Sequence, residues 1–465
     1  MKSTHTIFLL IFTAFVFMGC EKLVDDLNEN PNQLTLDDID AGLFLNGAEL
    51  SNISIQLGSY SRMAGYWSGQ LVGFEQTEFE RYQYSVTSST FDWDGYQSVL
   101  TPLREIQERT IDNPLLLGIS KVIEAHLVGT YASLFGDIPY SEALTDIENP
   151  IFDKQTVVFA QLQLLLDDAI TELENAEGYG VLEDFIFNGD RQKWLESAWT
   201  LKGRYYTHTK EYSLAYNAAS NGISSSANNM MFNPLDITGE NSTKNKYYIL
   251  LEAGPYTGTS GSYLEQLLDE TSSVSRNNSK TDETARLKYY TIDQTSGDAN
   301  LGIAHELEPQ PMITYRENLL ILAESGLRTN GFSTGLEHLN ELRTFLNSGS
   351  FLNDNFSSES YAYEVYITED FNAGGIENLD SIDTDSALLR EIIEERYVSG
   401  FTTFMAFDDT RRLQKSDSDI DVPFALNVAT STQNVERMLY PEDEILSNTM
   451  APSDPGLYEA TEVNQ

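Results

Sequence analysis

The chain has 465 residues, one cysteine and 41% hydrophobic residues, and its 72 acidic against 28 basic side chains give a formal net charge of −44. Such a surface is repelled by phosphate backbones and anionic headgroups, which argues against nucleic-acid binding. One cysteine leaves no intrachain disulfide and no Cys-based zinc site, so stability must come from a core, and this length can bury a large one.

Taken from the N-terminus, Lys2 precedes an apolar run at 7–17 (IFLLIFTAFVF). Eleven residues fall short of the roughly 20 that a bilayer-crossing helix needs. They suit the apolar region of a signal peptide spanning 1–19. Phe17-Met18-Gly19-Cys20 resembles a bacterial lipobox, in which Cys20 becomes the lipid-bearing first residue of a mature chain with a leader over 20–36. No later stretch reads as long and apolar enough to span a membrane. Glu21, Asp25, Asp26 and Glu29 resemble the acidic signal that carries lipoproteins to the outer face of an outer membrane.

Helical periodicity dominates the rest of the chain. Residues 41–66 read as a helix, and Trp93 and Tyr96 open another as packing residues. At 157–173, Val158, Leu162, Leu165, Ala169 and Leu173 form an apolar stripe opposite a run of acids. The pattern recurs at 191–206 through Trp194, Ala198, Leu201 and Tyr205, and again at 312–329, which ends at the breaker pair Asn330-Gly331. Thr334 to Glu337 has the spacing of a capping box that would start the next helix. Two amphipathic helices joined by a short turn are the unit of tetratricopeptide-like arrays. A further helix is expected over 385–399, and a brief strand over 363–367. Between them, 221–262, 271–300, 347–384 and 415–435 are rich in Gly, Ser, Asn and Thr, and loops this long are functional or disordered. The reading is one mainly α domain over 37–465, a helix-pair scaffold with long irregular excursions.

Segment 60–96 holds ten aromatic residues in 37, against 11% for the chain. A sugar offers an apolar C–H face and a ring of hydroxyls, so its sites pair aromatic platforms with Asp, Asn, Arg and Gln. Trp67, Phe74, Phe79 and Tyr82, interleaved with Glu78 and Arg81, fit that composition, and no helical stripe accounts for residues 69–89. Trp67 and Tyr82 are the expected platforms, with Glu78 or Arg81 meeting hydroxyls; Tyr256 is a second candidate. The alternative is a loop that packs its own rings inward, with Trp67 closing the preceding helix.

Catalytic signals are weaker. His126, His208, His305 and His338 are widely spaced without a His-x-x-x-His pair, so a zinc hydrolase is not expected. Abundant acids make a carboxylate pair at glycosidase spacing uninformative. Asp417, Asp419 and Asp421 sit as in a calcium loop, but Val422 and Val428 replace its Gly and Glu, so neither metal nor cofactor is implied.

Six stretches carry a family resemblance: LNENPNQLT (27–35), LFGDIPYSEAL (134–144), QKWLESAWTLKGRYY (192–206), MITYRENLLILAES (312–325), REIIEERYVSGFTTFMAFDDTRRL (390–413) and VERMLYPEDEI (435–445). In order along the chain, they resemble the SusD/RagB-like outer-membrane nutrient-binding lipoproteins. The leader and DETARLKYY (282–290) are similar to the second SusD-like subfamily. The resemblance implies a mainly α fold of four tetratricopeptide-like helix pairs, and a cell-surface protein that binds oligosaccharide or peptide. It implies delivery to a TonB-dependent, SusC-like barrel transporter and no bond cleavage. The other readings are a surface glycan hydrolase and a helical-repeat adaptor that binds only protein. Cys20→Ala is expected to give a folded protein released from the outer membrane, measured by cell fractionation; a variant that still needs detergent for extraction would contradict the anchor.

Overall fold

The computed structural model describes residues 40–465 apart from 111, 414–419 and 421–430. Cys20, the leader and the aspartates of the calcium-like string lie outside the described residues.

Helices pack in antiparallel pairs. Leu43–Gln56 lies on Asp94–Arg109, Pro114–Phe135 on Gln155–Glu174, Arg191–His208 on Tyr212–Ala219, and Tyr315–Asn330 on Phe332–Asn347. Consecutive pairs touch in turn, which is the tetratricopeptide-like stacking the sequence implied. Pro114–Phe135 runs through the middle. Pro114 occupies its first turn, Asn113 accepts a hydrogen bond from the Leu116 N–H at 3.2 Å, and almost every later side chain is buried. By length and composition it could cross a membrane, contrary to the sequence expectation. Its apolar faces are instead covered by the neighbouring helices, as befits a core helix. Trp194 is equally internal, its Nε1–H donating to Asp184 at 2.7 Å.

Several boundaries differ from the periodicity. Residues 41–66 break at Gly58 into Leu43–Gln56 and Ser59–Trp67. Residues 312–313 belong to the strand Gln310–Ile313, antiparallel to Met230–Phe232, and the helix starts only at Tyr315, where the Thr314 hydroxyl accepts from the Glu317 N–H at 3.2 Å. The next helix begins at Phe332, directly after Gly331 at φ +92°, so Thr334 and Glu337 lie inside it and cap nothing. The expected 363–367 strand reduces to Ala362–Tyr363, paired with Thr281–Asp282. Phe135-Gly-Asp-Ile-Pro-Tyr is a turn: Gly136 takes φ +83°, Arg437 donates to the Phe135 carbonyl, and Asp137 accepts from the Gln155 N–H at 3.0 Å.

The irregular half is fastened to the helix pairs by buried ions on the Thr384–Ser399 helix. On one side Arg276 donates to Glu283 (2.9 Å), Glu391 (2.9 Å), Glu394 (3.0 Å) and Glu395 (2.6 Å), while Arg286 reaches Glu395 at 2.6 Å. On the other, Arg396 meets Asp409 at 2.7 Å, and Arg412 bridges Asp409 (2.8 Å) and Glu324 (2.7 Å). Removing one member of such a network leaves its partners buried and uncompensated, at a cost on the order of 3–5 kcal/mol. Burial alone would raise the Glu395 pKa, but Arg286 and Arg276 outweigh it and hold the carboxylate down to about 2, against an ordinary value of 4.5. Its folded pKa being the lower one, its contribution is complete above about pH 4.5 and is lost as pH falls toward 2. Glu395→Gln is therefore expected to destabilise the protein at pH 7 and to lose less further stability than the parent between pH 7 and 3, read by denaturant melts. Equal acid losses would contradict the assignment.

Candidate functional site

The aromatic segment departs from the Ser59–Trp67 helix, turns at Gly69 and enters the short strand Val72–Gly73. That strand pairs antiparallel with Thr257–Gly258, Val72 opposite Gly258, and the Phe74 N–H donates to the Tyr256 carbonyl at 2.9 Å. The pairing joins the two stretches that the sequence offered separately. Gly73 is required here: a Cβ would lie 2.1 Å from the Glu78 carbonyl oxygen and 2.9 Å from the Tyr82 Cβ, so only glycine lets the strand approach the next helix.

That helix, Gln76–Tyr82, was not expected from periodicity. Two turns are too few to write a stripe, yet Glu78 in its first turn and Arg81 in its last complement the helix dipole. Its one fully buried residue is Glu78, 5% exposed. The carboxylate accepts from Arg81 at 2.5 Å, from Arg62 at 3.4 Å and from the Tyr66 hydroxyl at 2.7 Å. Burial alone would raise its pKa, but Arg62 and Arg81, with the Tyr66 hydrogen bond, hold it below the usual carboxylate value. Tyr66 also pairs with the Thr257 hydroxyl at 2.9 Å, so this cluster locks helix, strand and partner strand together.

This corrects two expectations. Trp67 is 2% exposed; its ring meets Phe407 edge-on at 5.7 Å and its Nε1–H donates to the Arg81 carbonyl at 3.0 Å. It closes its helix facing inward and offers no platform to a ligand. Glu78 spends its oxygens inside the protein, so it positions the helix and does not meet sugar hydroxyls. Arg81 is turned largely toward Glu78, its side chain 17% exposed. Phe79 is 40% exposed, and Phe74, Tyr82 and Tyr256 are half-buried, Tyr82 with its ring edge-on to Tyr66 at 6.3 Å. The rings that remain at the surface are these four. Arg62 and Tyr66 were missed, although their i, i+4 spacing puts both on one helix face.

Three other features do not make a ligand site. An enclosed cavity among Arg204, His208, Arg396 and Asp408 measures about 40 Å³, room for a few waters and not for a pyranose. His208 there is pushed down to about 4 by burial, 3.5 Å from Asp408. Gly331-Phe-Ser-Thr-Gly335 has the spacing of a nucleophile elbow but joins two helices instead of a strand and a helix. Among the described residues no three His, Cys, Asp or Glu side chains gather as a metal site.

Residues 31–401 match the profile of the second SusD-like family, described as starch-binding and associating with the outer membrane. No curated protein matches the chain. Among solved structures, the chain is similar to a SusD/RagB family protein from Bacteroides thetaiotaomicron, with TM-score 0.67 and 18% identity over 92% of this chain and 99% of that one. It is also similar to a SusD homologue from Bacteroides fragilis (TM-score 0.66, 17%, covering 92% and 100%) and to a chitin-binding SusD homologue from Flavobacterium johnsoniae (TM-score 0.64, 16%, covering 91% and 98%). At these identities the structural likeness is one of fold.

Trp67→Ala is expected to cost about 3–5 kcal/mol, as for a large buried ring. Phe79→Ala, at the surface, should stay within about 0.5 kcal/mol of the parent. Paired denaturant melts check both; equal costs would contradict this division into inward and outward rings.

Proposed function

Because the chain belongs to the SusD-like family of starch-binding, outer-membrane-associated proteins, we propose that it is a cell-surface lipoprotein that captures an oligosaccharide and hands it to a SusC-like, TonB-dependent barrel. The observation that carries the carbohydrate reading is that the pairing of Val72–Gly73 with Thr257–Gly258 sets Phe74 opposite Tyr256, beside the short helix Gln76–Tyr82 that carries Phe79 and Tyr82. Sugar C–H faces stack on such rings, while the exposed edge of Arg81 and nearby backbone groups take hydroxyls. The buried Glu78 cluster holds the rings before the ligand arrives, so little ordering entropy is lost on binding. Capture and release need no bond to break, and the site is a binding surface, not a hydrolytic one. The chitin-binding relative makes β-linked N-acetylglucosamine oligomers a first ligand to try beside maltooligosaccharides.

The lipid at Cys20 and the acidic residues behind it place the protein on the outer leaflet in this reading, with its strong negative charge keeping it in solution above the membrane. Calorimetry against a panel of neutral oligosaccharides tests the site. Loss of one stacking ring should weaken binding by about 1–3 kcal/mol, so Tyr82→Ala and Phe79→Ala each lower affinity at least several-fold, Phe79→Ala with unchanged melting temperature and Tyr82→Ala, whose ring packs on Tyr66, with a small loss. No reducing ends should accumulate on prolonged incubation. Unchanged affinity in both variants would move the site elsewhere, and steady release of reducing ends would favour the hydrolase.

A further inference from the structure

At the opposite end of the Ser59–Trp67 helix from the aromatic patch, about 10 Å along the axis at 1.5 Å per residue, lies a second concavity. It is an open groove of about 340 Å³ between the Leu43–Gln56 and Asp94–Arg109 helices. That size is at the small end of ligand sites and matches one or two pyranose rings.

Its chemistry is selective. Ser54 and Ser98 face each other from the two helices, and each donates its hydroxyl hydrogen to its own helix backbone, to Leu50 at 3.0 Å and Asp94 at 2.7 Å. Their lone pairs are left to accept. The exposed Asp92 carboxylate adds further acceptors at the rim. The Tyr60 hydroxyl is fixed by Asp92, donating to its carbonyl at 2.5 Å and accepting from its N–H at 3.2 Å. Gly95 opens the floor: a Cβ there would come within 3.4 Å of the Tyr131 hydroxyl and 3.1 Å of Ile55, partly filling the groove. Walls rich in acceptors and carrying one formal charge disfavour anions, and four serines with two phenols disfavour an apolar guest. A neutral molecule with many O–H donors and an apolar face fits, with Ile55 supplying the apolar contact.

We propose that this groove is a second carbohydrate subsite, taking one or two neutral pyranose units independently of the aromatic patch. The inference rests on the carbohydrate reading above. Maltohexaose and chitohexaose are the probes, titrated by calorimetry and native mass spectrometry into the full mature chain. The parent should bind two copies of a short oligosaccharide. Phe79→Ala combined with Tyr82→Ala should leave one weaker, saturable site. Adding Ser98→Trp, or separately Ser54→Trp, fills the groove from an exposed helix position and should lower that residual affinity at least tenfold, with the fold checked by melting. Residual binding that survives both tryptophans, or its complete absence in the double variant of a parent that binds, overturns the subsite and leaves the carbohydrate reading standing. A parent that binds neither probe overturns both.

Discussion

The position of the irregular half against the helix pairs hangs on guanidinium–carboxylate contacts made out of water along one helix. Thr384–Ser399 presents Glu391, Glu394 and Glu395 to Arg276 and Arg286 of the irregular half, and Arg396 to Asp409 next to Glu324 of a helix pair. A buried charge is tolerated only when its partners are in place. The rigid fork of arginine can satisfy several carboxylates at once, which an ammonium cannot do as well. The helix pairs hold together by apolar packing in any case. The long excursions bury less apolar surface of their own, so ion networks give them a defined position. Arg343 plays a similar part farther out, stacking over Tyr366 at 3.7 Å and donating to the Glu364 and Lys280 carbonyls.

This explains what the quoted sequence stretches encode. Glu324 lies in MITYRENLLILAES, Glu395, Arg396, Asp409 and Arg412 in REIIEERYVSGFTTFMAFDDTRRL, and Glu283 and Arg286 in DETARLKYY. Read as text they signalled a family; in three dimensions they are mutual partners. Helices were legible because apolar side chains repeat at the helical period along 155–174, 191–208 and 384–399. What was not legible depends on contacts distant in sequence. The strand Gln310–Ile313 exists because Met230–Phe232 lies beside it, and no local pattern at 310–313 announces that. The capping-box spacing at Thr334 was overridden by Gly331, which lets the chain turn and start the helix three residues earlier.

The candidate site shows the same division. Aromatic density over 60–96 located the region, but composition could not tell an inward ring from an outward one. Trp67 ends a helix whose buried face continues onto Phe407, a residue 340 positions away, so its burial was invisible locally. Glu78 had the right chemistry for a sugar hydroxyl and the wrong environment, because Arg62 and Tyr66 already occupy it. Phe74 and Tyr256 became neighbours only through a two-residue strand pairing. Rings carried on such short elements can vary without disturbing the helix pairs.

In the proposed function, ligand meets the surface where residues 74–82 and 254–258 come together. Hydrogen–deuterium exchange with and without a bound oligosaccharide tests it most directly, because it reads every segment at once. Slowed exchange is expected in both of those segments together, with the Gln155–Glu174 and Tyr315–Asn330 helices unchanged. Binding that calorimetry detects, accompanied by no change in either segment, would contradict it.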